Sequence, residues 1–312
     1  MKKRIKITIL SILITSIILP QATTHEQTTL YVNDDNTSGP WDGSLLHPYQ
    51  HIQDGIDAAE EHDIVFVFSG VYNEHIHINL SIQLIGEHEE TTMISSNDTA
   101  DIIQIYDTSS VTLRNFYIQH TYSSSEYLAG IHLKNTSYSL IENITIKNCY
   151  DGVLLKGHHN YLKNMSISEN KIGICFGHYR SITNDNDNLV QLNIHLYSHT
   201  TNFIKNNEIN KNFEAGIDLS FTTQNTIEGN TFSDNNYGVR FRSSSNNEIH
   251  SNNFINNTIH AFAFDESLNS WHHNYWDNWI GIQYLHLAFL PKIIPSFLGI
   301  NIDWEPAESP YF

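Results

Sequence analysis

Apolar and polar positions alternate along this chain in short runs, and the runs recur about every 22 residues. One phrase begins with Asn, carries an apolar residue two positions on and another at seven, meets a further Asn near ten, and closes on Gly-apolar-x-apolar. It reads Asn202-Phe203-Ile204 to Gly216-Ile217-Asp218-Leu219, then Asn225-Thr226-Ile227 to Gly238-Val239-Arg240-Phe241, then Asn247-Glu248-Ile249 to Ala261-Phe262-Ala263-Phe264. Alternations such as Ile131-His132-Leu133 and Ile144-Thr145-Ile146 have the period of a strand, not of a helix. Self-similarity at this length predicts a solenoid, whose coils bury their apolar faces only against their neighbours.

The glycines count the coils. Gly130, Gly152, Gly173, Gly216 and Gly238 follow this spacing except for a gap of 43 before Gly216. Residues 174–201 are therefore either a degenerate coil or a long excursion. Leucine-rich repeats are similar in length, but the core positions here mix Ile, Leu, Val and Phe, while Asn and Gly fill the corners. Both residues tolerate the left-handed backbone of tight corners, so the expected fold is all-β, a single-stranded right-handed parallel β-helix. Asn170, Asn212, Asn235 and Asn257 occupy equivalent places, as do Asn207, Asn230, Asn252 and Asn274, which predicts amide ladders at the spacing of paired strands.

Four segments are expected. Residues 1–24, with Lys2, Lys3, Arg4 and Lys6 before the apolar run Ile7 to Leu19, read as a signal peptide or N-terminal anchor, which places the body outside the cytoplasm. Residues 25–68 supply a strand, a turn-rich loop and a helix from His51 to Glu61 with Ile52, Ile56 and Ala59 on one side, capping the first coil. Residues 69–279 are the β-helix. Residues 280–312 are a C-terminal cap, with Trp271, Trp276, Trp279 and Trp304 clustered about it and an apolar stretch from Tyr284 to Ile302 that Pro291, Lys292 and Pro295 make unsuitable as a membrane span.

The stretch Pro48-Tyr49-Gln50-His51-Ile52 to Ala58-Ala59, followed by Gly70-Val71-Tyr72 and Glu74, resembles the amino-terminal opening of the pectin-lyase-like right-handed β-helix superfamily. With the Asn-rich coils and Asn274-Tyr275-Trp276-Asp277, the chain is similar to NosD-like archaeal surface proteins, the group labelled periplasmic copper-binding. That resemblance implies an exported binding scaffold at the cell surface or in a periplasm-like space. Its matching residues are corners, caps and core, so it speaks for fold more than for function.

Charge narrows the partners. The chain carries 34 acidic against 16 basic residues, and the N-terminal segment removes four of the basic ones and none of the acidic. Such a field repels nucleic acid and attracts cations. The only cysteines, Cys149 and Cys175, are about one coil apart, with pairing left open and Cys175 at an outward-facing place.

In Gly-apolar-x-apolar the x residue points to solvent, giving an outward column of His132, Leu154, Cys175, Asp218, Arg240 and Ala263. A second column has Lys134, Lys156, Gly177, Ser220, Arg242 and Asp265. Lys134, Lys156, Asp218, Arg240 and Arg242 form a charged face on which polysaccharide or a cell-surface glycan could bind, or a polysaccharide lyase or glycoside hydrolase could work, although the paired carboxyls of a hydrolase are not recognisable. Metal-ligand types stand in a third column, where Glu228, His250 and His272 repeat at one place in successive coils. His75 and His77, two apart on a strand, are a second candidate. The pairs His158-His159 and His272-His273, and His195 with His199, fit no single geometry from sequence. With three methionines in all, a methionine-rich Cu(I) site is excluded, and a Cu or Zn site would rest on imidazole. Asn184 to Asn188 offers oxygen ligands for Ca²⁺ as a lesser option. The reading is a non-catalytic scaffold for carbohydrate or divalent metal, with an outer-face lyase or hydrolase and a purely structural envelope protein as alternatives.

Overall fold

A computed structural model describes residues 26–96, 100–121, 128–177, 198–264, 268–279, 291–296 and 300–311. The coil that begins at Asn225 runs through three strands, Thr226–Glu228, Thr231–Ser233 and Tyr237–Arg242. Each pairs in parallel with its counterpart one coil later, Thr226 with Glu248, Thr231 with Asn253 and Tyr237 with Ile259. Repeated along the chain, this pairing makes three parallel faces around one core, a right-handed parallel β-helix. The third face is a sheet of eight strands from Ile76–Ile78 to Ile259–Ala263. The gap before Gly216 resolves into a single coil, since Tyr161, Ser166 and Ile172 pair directly with Phe203, Glu208 and Ala215.

Inward side chains stack in register. Ile141, Leu162, Ile204, Ile227, Ile249 and Trp271 form one buried column, and Ile167, Ile209, Phe232, Phe254 and Trp276 another. Each fully buried residue of this size stabilises the stack by about 1.5–3 kcal/mol. Towards the last coils the columns become aromatic, with ring centroids 5.0 Å apart for Phe232 and Phe254 and 4.2 Å for Phe254 and Trp276.

The corners revise the sequence reading. The left-handed residue is not the ladder Asn but the residue before it. Thr201, Asn206, Lys211, Gln224, Gly229, Asp234, Asn246, Ser251 and Asn256 have φ between 42° and 68°, and each precedes a buried Asn. A non-glycine residue in that region costs on the order of 1–3 kcal/mol, and the ladders offset it. Asn230 Oδ1 accepts from Asn207 N and Nδ2 at 3.0 and 2.8 Å, while Asn230 Nδ2 donates to Ile204 O at 2.8 Å and Asn252 Oδ1 at 3.0 Å. A third ladder, Asn202, Asn225, Asn247 and Asn269, joins the two expected ones. Strand Asn301–Asp303 finishes two of them: Asn269 N donates to Asn301 Oδ1, and Asn274 N and Nδ2 both donate to Asp303 Oδ2.

The repeating glycines also have a different reason from the one expected. Gly152, Gly173, Gly216 and Gly238 lie in strands without positive φ, and a Cβ on each would stand 2.4–2.6 Å from the carbonyl oxygen one coil on. Room, not backbone freedom, selects glycine there. His260 takes this place in the last strand of the sheet, so Val239, Arg240 and Phe241 pair with Ala261, Phe262 and Ala263. The outward neighbour of Arg240 is therefore Phe262 rather than Ala263, and Phe264 lies beneath the Arg242 guanidinium, 5.2 Å from it, while Asp265 lies outside the described residues.

At the amino end the helix is Ile52–Ala58, shorter than His51 to Glu61, with Ile52 and Ile56 buried. Both oxygens of Glu74 accept its first free N–H groups, from Ile52 and Gln53, at 3.0 and 3.1 Å, as helix ends require. At the carboxyl end Lys292–Ile294 pairs antiparallel with Asn301–Asp303. Trp271 and Trp276 are buried, whereas Trp304 is 64% exposed and does not join them. Residues 280–290 and 297–299 of the apolar stretch lie outside the described residues, as do residues 1–25.

Candidate functional site

The outer column of the third face is closed. Asp218 and Arg240, neighbours in register, have side chains only 3% and 4% exposed, and Arg240 Nη2 donates to Asp218 Oδ2 at 2.6 Å. Arg240 Nη1 reaches Glu214 Oε1 at 2.8 Å and Arg242 stands 3.8 Å from Asp218. Burial works against the Arg240 charge, but Asp218 and Glu214 more than compensate and raise its pKa. The geometry is that of a buried ion pair, whose partners must stay together because either one alone is an uncompensated buried charge. Lys134 and Lys156 are exposed register neighbours on the same face. Beside Asp218, Cys175 is buried with Leu154 and Ala215 in a small apolar cluster, so its outward place is not an exposed one. Cys149 and Cys175 form no disulfide; burial pushes the Cys149 thiol up to about 12 and Cys175 well above its ordinary value.

The third column belongs to the first face and continues a ladder of charge. Arg114, Glu142, Lys163, Lys205, Glu228, His250 and His272 follow one another in register. Glu142 lies 2.9 Å from Lys163, and Glu228 lies 2.5 Å from Lys205. The Lys205 hydrogen bond, opposed by partial burial, lowers the Glu228 pKa. Glu228 is therefore engaged by a lysine. His250 and His272 stack face to face, centroids 4.8 Å apart and planes within 6°, so their in-plane lone pairs run parallel instead of converging. Burial, with Glu228 opposing, lowers the His250 pKa and favours its neutral ring.

His75 and His77 are separated by their partners. His75 lies just before strand Ile76–Ile78; its Nε2 meets Ser96 Oγ and its Nδ1 meets Asp101 O, each at 3.0 Å. His77 is exposed and packs edge-on towards Tyr106. Sequence reasoning missed the buried neighbourhood that results, in which His132 Nδ1 lies 2.8 Å from Asp101 Oδ2 and His120 Nδ1 3.3 Å from Ser96 O. Among the described residues, no three His, Cys, Asp or Glu side chains surround one point. Asn184 to Asn188 and His195 lie outside the described residues, and nothing is described of the His199 side chain.

A pair of imidazoles does converge, at a corner. His272 ends the strand Ser270–His272, and His273 is the left-handed residue before ladder Asn274, with φ 56°. Along a strand, residues i and i+1 face opposite ways, but the left-handed step brings them together: at the same corner one coil earlier His250 Nδ1 lies 3.3 Å from Ser251 Oγ. Here His272 Nδ1 and His273 Nδ1 are 3.2 Å apart with planes at 89°. Each far nitrogen has a carboxylate, His272 Nε2 with Glu248 at 3.1 Å and His273 Nε2 with Glu305 at 2.9 Å. A carboxylate acceptor at Nε2 favours the tautomer with its hydrogen there, which turns the Nδ1 lone pairs of the two rings towards one another. Two lone pairs at that distance call for a shared proton or a cation.

The spacing suits a metal. Two nitrogens at ~2.0–2.1 Å from one ion lie about 2.9 Å apart at a right angle and about 3.3 Å apart in a tetrahedron. Histidine ligands of metals generally donate their other N–H to a carboxylate. His272 and His273 are 33% and 54% exposed, open to an ion from solvent. Sequence reasoning left the His272-His273 pair without a geometry and missed Glu248 and Glu305, because strand alternation separates neighbours that the corner unites. The signal in sequence was His-His directly before a ladder Asn.

Aromatic platforms for sugars are less developed. Tyr161 stacks on Phe203 at 4.5 Å and Tyr138 on His159 at 5.0 Å, so the rings cover one another's faces, the surface that a sugar would need.

Among curated proteins none matches the chain. Solved structures do: a rhamnogalacturonan lyase (TM-score 0.57, 13% identity, 80% of this chain and 74% of that one) and the A-module of the Azotobacter vinelandii mannuronan C-5 epimerase AlgE4 (0.51, 15%, 78% of each). The Dettilon tailspike protein is also similar (0.52, 11%, 79% of this chain), and this chain spans 49% of its length. At these identities the likeness is one of fold. The family model described as periplasmic copper-binding protein (NosD) matches residues 69–286, and the chain belongs to that family.

Proposed function

We propose that this protein is an exported, non-catalytic β-helix that binds a divalent transition-metal ion of the copper class at the His272–His273 corner. The observation that carries the reading is the 3.2 Å approach of the two Nδ1 atoms, each ring held from behind by a carboxylate. His272 and His273 would hold the ion, and Glu248 and Glu305 would fix the tautomers and strengthen the rings as donors. Imidazole nitrogen selects Cu²⁺, Zn²⁺ or Ni²⁺ over Ca²⁺ and Mg²⁺. The ion, once bound, would bring Lewis acidity and, for copper, one-electron chemistry. The acidic chain, net charge −18, favours the approach of any cation.

The catalytic alternative draws less support, because Asp218 and Arg240 are buried against each other instead of lining an open groove. The test is titration calorimetry with Cu²⁺ and Zn²⁺ on the purified protein and on His272→Ala/His273→Ala. Binding is expected in the first and weakened in the second, and Glu248→Gln/Glu305→Gln should lose roughly 10-fold in affinity. Absence of binding, or equal binding by all three, would sink the proposal.

A further inference from the structure

The same local motif is built at a second, different corner of the coil, where a strand of the third face turns into the Asn202 ladder instead of a strand of the first face into the Asn230 ladder. Gly157-His158-His159-Asn160 repeats the order of Trp271-His272-His273-Asn274, with His158 ending strand Asp151–His158 and His159 left-handed at φ 56°. Asn160 behind it is fully buried; its N–H donates to Asn202 Oδ1 at 2.9 Å and its Nδ2 to Thr136 O at 3.2 Å. His159 N donates to Thr200 O at 3.0 Å. The backbone under both imidazoles is thus fixed by neighbouring coils on either side.

From this frame His158 Nδ1 and His159 Nδ1 stand 3.0 Å apart with planes at 86°. Tyr138 lies flat on the His159 ring at 5.0 Å and 19°, limiting its rotation. The spacing again falls where two nitrogens of one ion belong, at about 2.9–3.3 Å. We infer that His158 and His159 form a second, independent site for a divalent transition-metal ion. This inference rests on the metal-binding reading above and extends it to a stoichiometry of two.

The two corners differ in what stands behind the rings. Among the described residues no carboxylate meets either far nitrogen of His158 or His159, so the Nδ1 hydrogen that one ring must lend the other moves to Nε2 when an ion binds. Without a carboxylate to favour that tautomer, the site is weaker than the His272–His273 corner, by about 10–100-fold on the usual worth of such partners.

The experiment is Cu²⁺ titration followed by calorimetry and by the electron paramagnetic resonance signal of the bound ion, with Ca²⁺ as a control. The protein as it stands should take two ions in a tight and a weak step. His272→Ala/His273→Ala should keep only the weak step. His158→Gln/His159→Asn, in which Asn suits the left-handed position, should lose only that step, with an unchanged circular dichroism spectrum and melting midpoint. A single ion, lost in the first variant and untouched in the second, would overturn the inference and leave the proposed function standing. No ion bound at all would overturn both.

Discussion

Asn230→Ala removes one rung from the middle of a ladder. Asn230 is fully buried and Asn207 is 1% exposed. The truncation leaves Asn207 N–H without its acceptor and removes both bonds donated by Asn230 Nδ2, to Ile204 O and Asn252 Oδ1. Asn207 Nδ2 keeps its bond to Leu162 O, and Asn252 Oδ1 keeps Asn230 N. An orphaned buried donor costs about 1–3 kcal/mol and each lost side-chain bond, that from Asn207 Nδ2 to Asn230 Oδ1 included, roughly 1 kcal/mol net, so the expected loss is about 4–6 kcal/mol. Because each coil touches only its neighbours, the damage should centre on residues 202–257. Urea unfolding followed by far-ultraviolet circular dichroism gives the midpoint, and hydrogen exchange by mass spectrometry gives the location. Asn206→Gly, at the exposed left-handed corner beside it, serves as the matched control and should be neutral or stabilising. A loss below about 0.5 kcal/mol in Asn230→Ala, the level of an ordinary surface change, would refute the view that amide ladders hold the stack.

Gly216→Ala should destabilise by about 1–3 kcal/mol, since its Cβ would lie 2.6 Å from Gly238 O; an unchanged thermal midpoint would contradict the crowding. Burial, opposed by Asp277, lowers the His260 pKa from the ordinary 6.5, so the unfolded chain binds the proton more readily. Stability should therefore fall as the pH drops through 6.5 and level off below the folded value. His260→Gln should flatten that part of the pH profile, and an identical slope in both proteins would rule the assignment out.

Much of the fold is legible in sequence because period, apolar alternation and Asn spacing all report on the same stacking. The register at the last coil is not. Glycine marks its strand only where the next coil's carbonyl approaches, as Gly238 meets His260 O, and in the terminal strand of the sheet His260 holds the place instead. The corners mislead in a similar way: Lys211, Gln224 and Thr201 adopt the left-handed backbone because the Asn that follows is bonded above and below, not because of their own preference. The candidate site was half visible. His250 and His272 do share a column, but parallel stacking separates their lone pairs, and the ring that converges on His272 comes from the next residue along the chain.

The ladders also have a direction. From side-chain amide to side-chain amide the hydrogens pass towards the carboxyl end of the stack, as Asn207 gives to Asn230 and Asn230 to Asn252, while each Nδ2 returns its other hydrogen to a backbone carbonyl of the coil before. Towards its neighbouring rung a final member therefore needs only to accept, which is why an aspartate, Asp303, can close a column of asparagines. Each coil offers its successor the same pattern that it was offered. A duplicated 22-residue block would slot into the interior with no donor or acceptor left over, lengthening the rod by about 4.8 Å while both caps stayed as they are. Insertions of other lengths within the rungs would break all three columns at once, so the rod can grow only in whole coils or by loops that leave the corners alone.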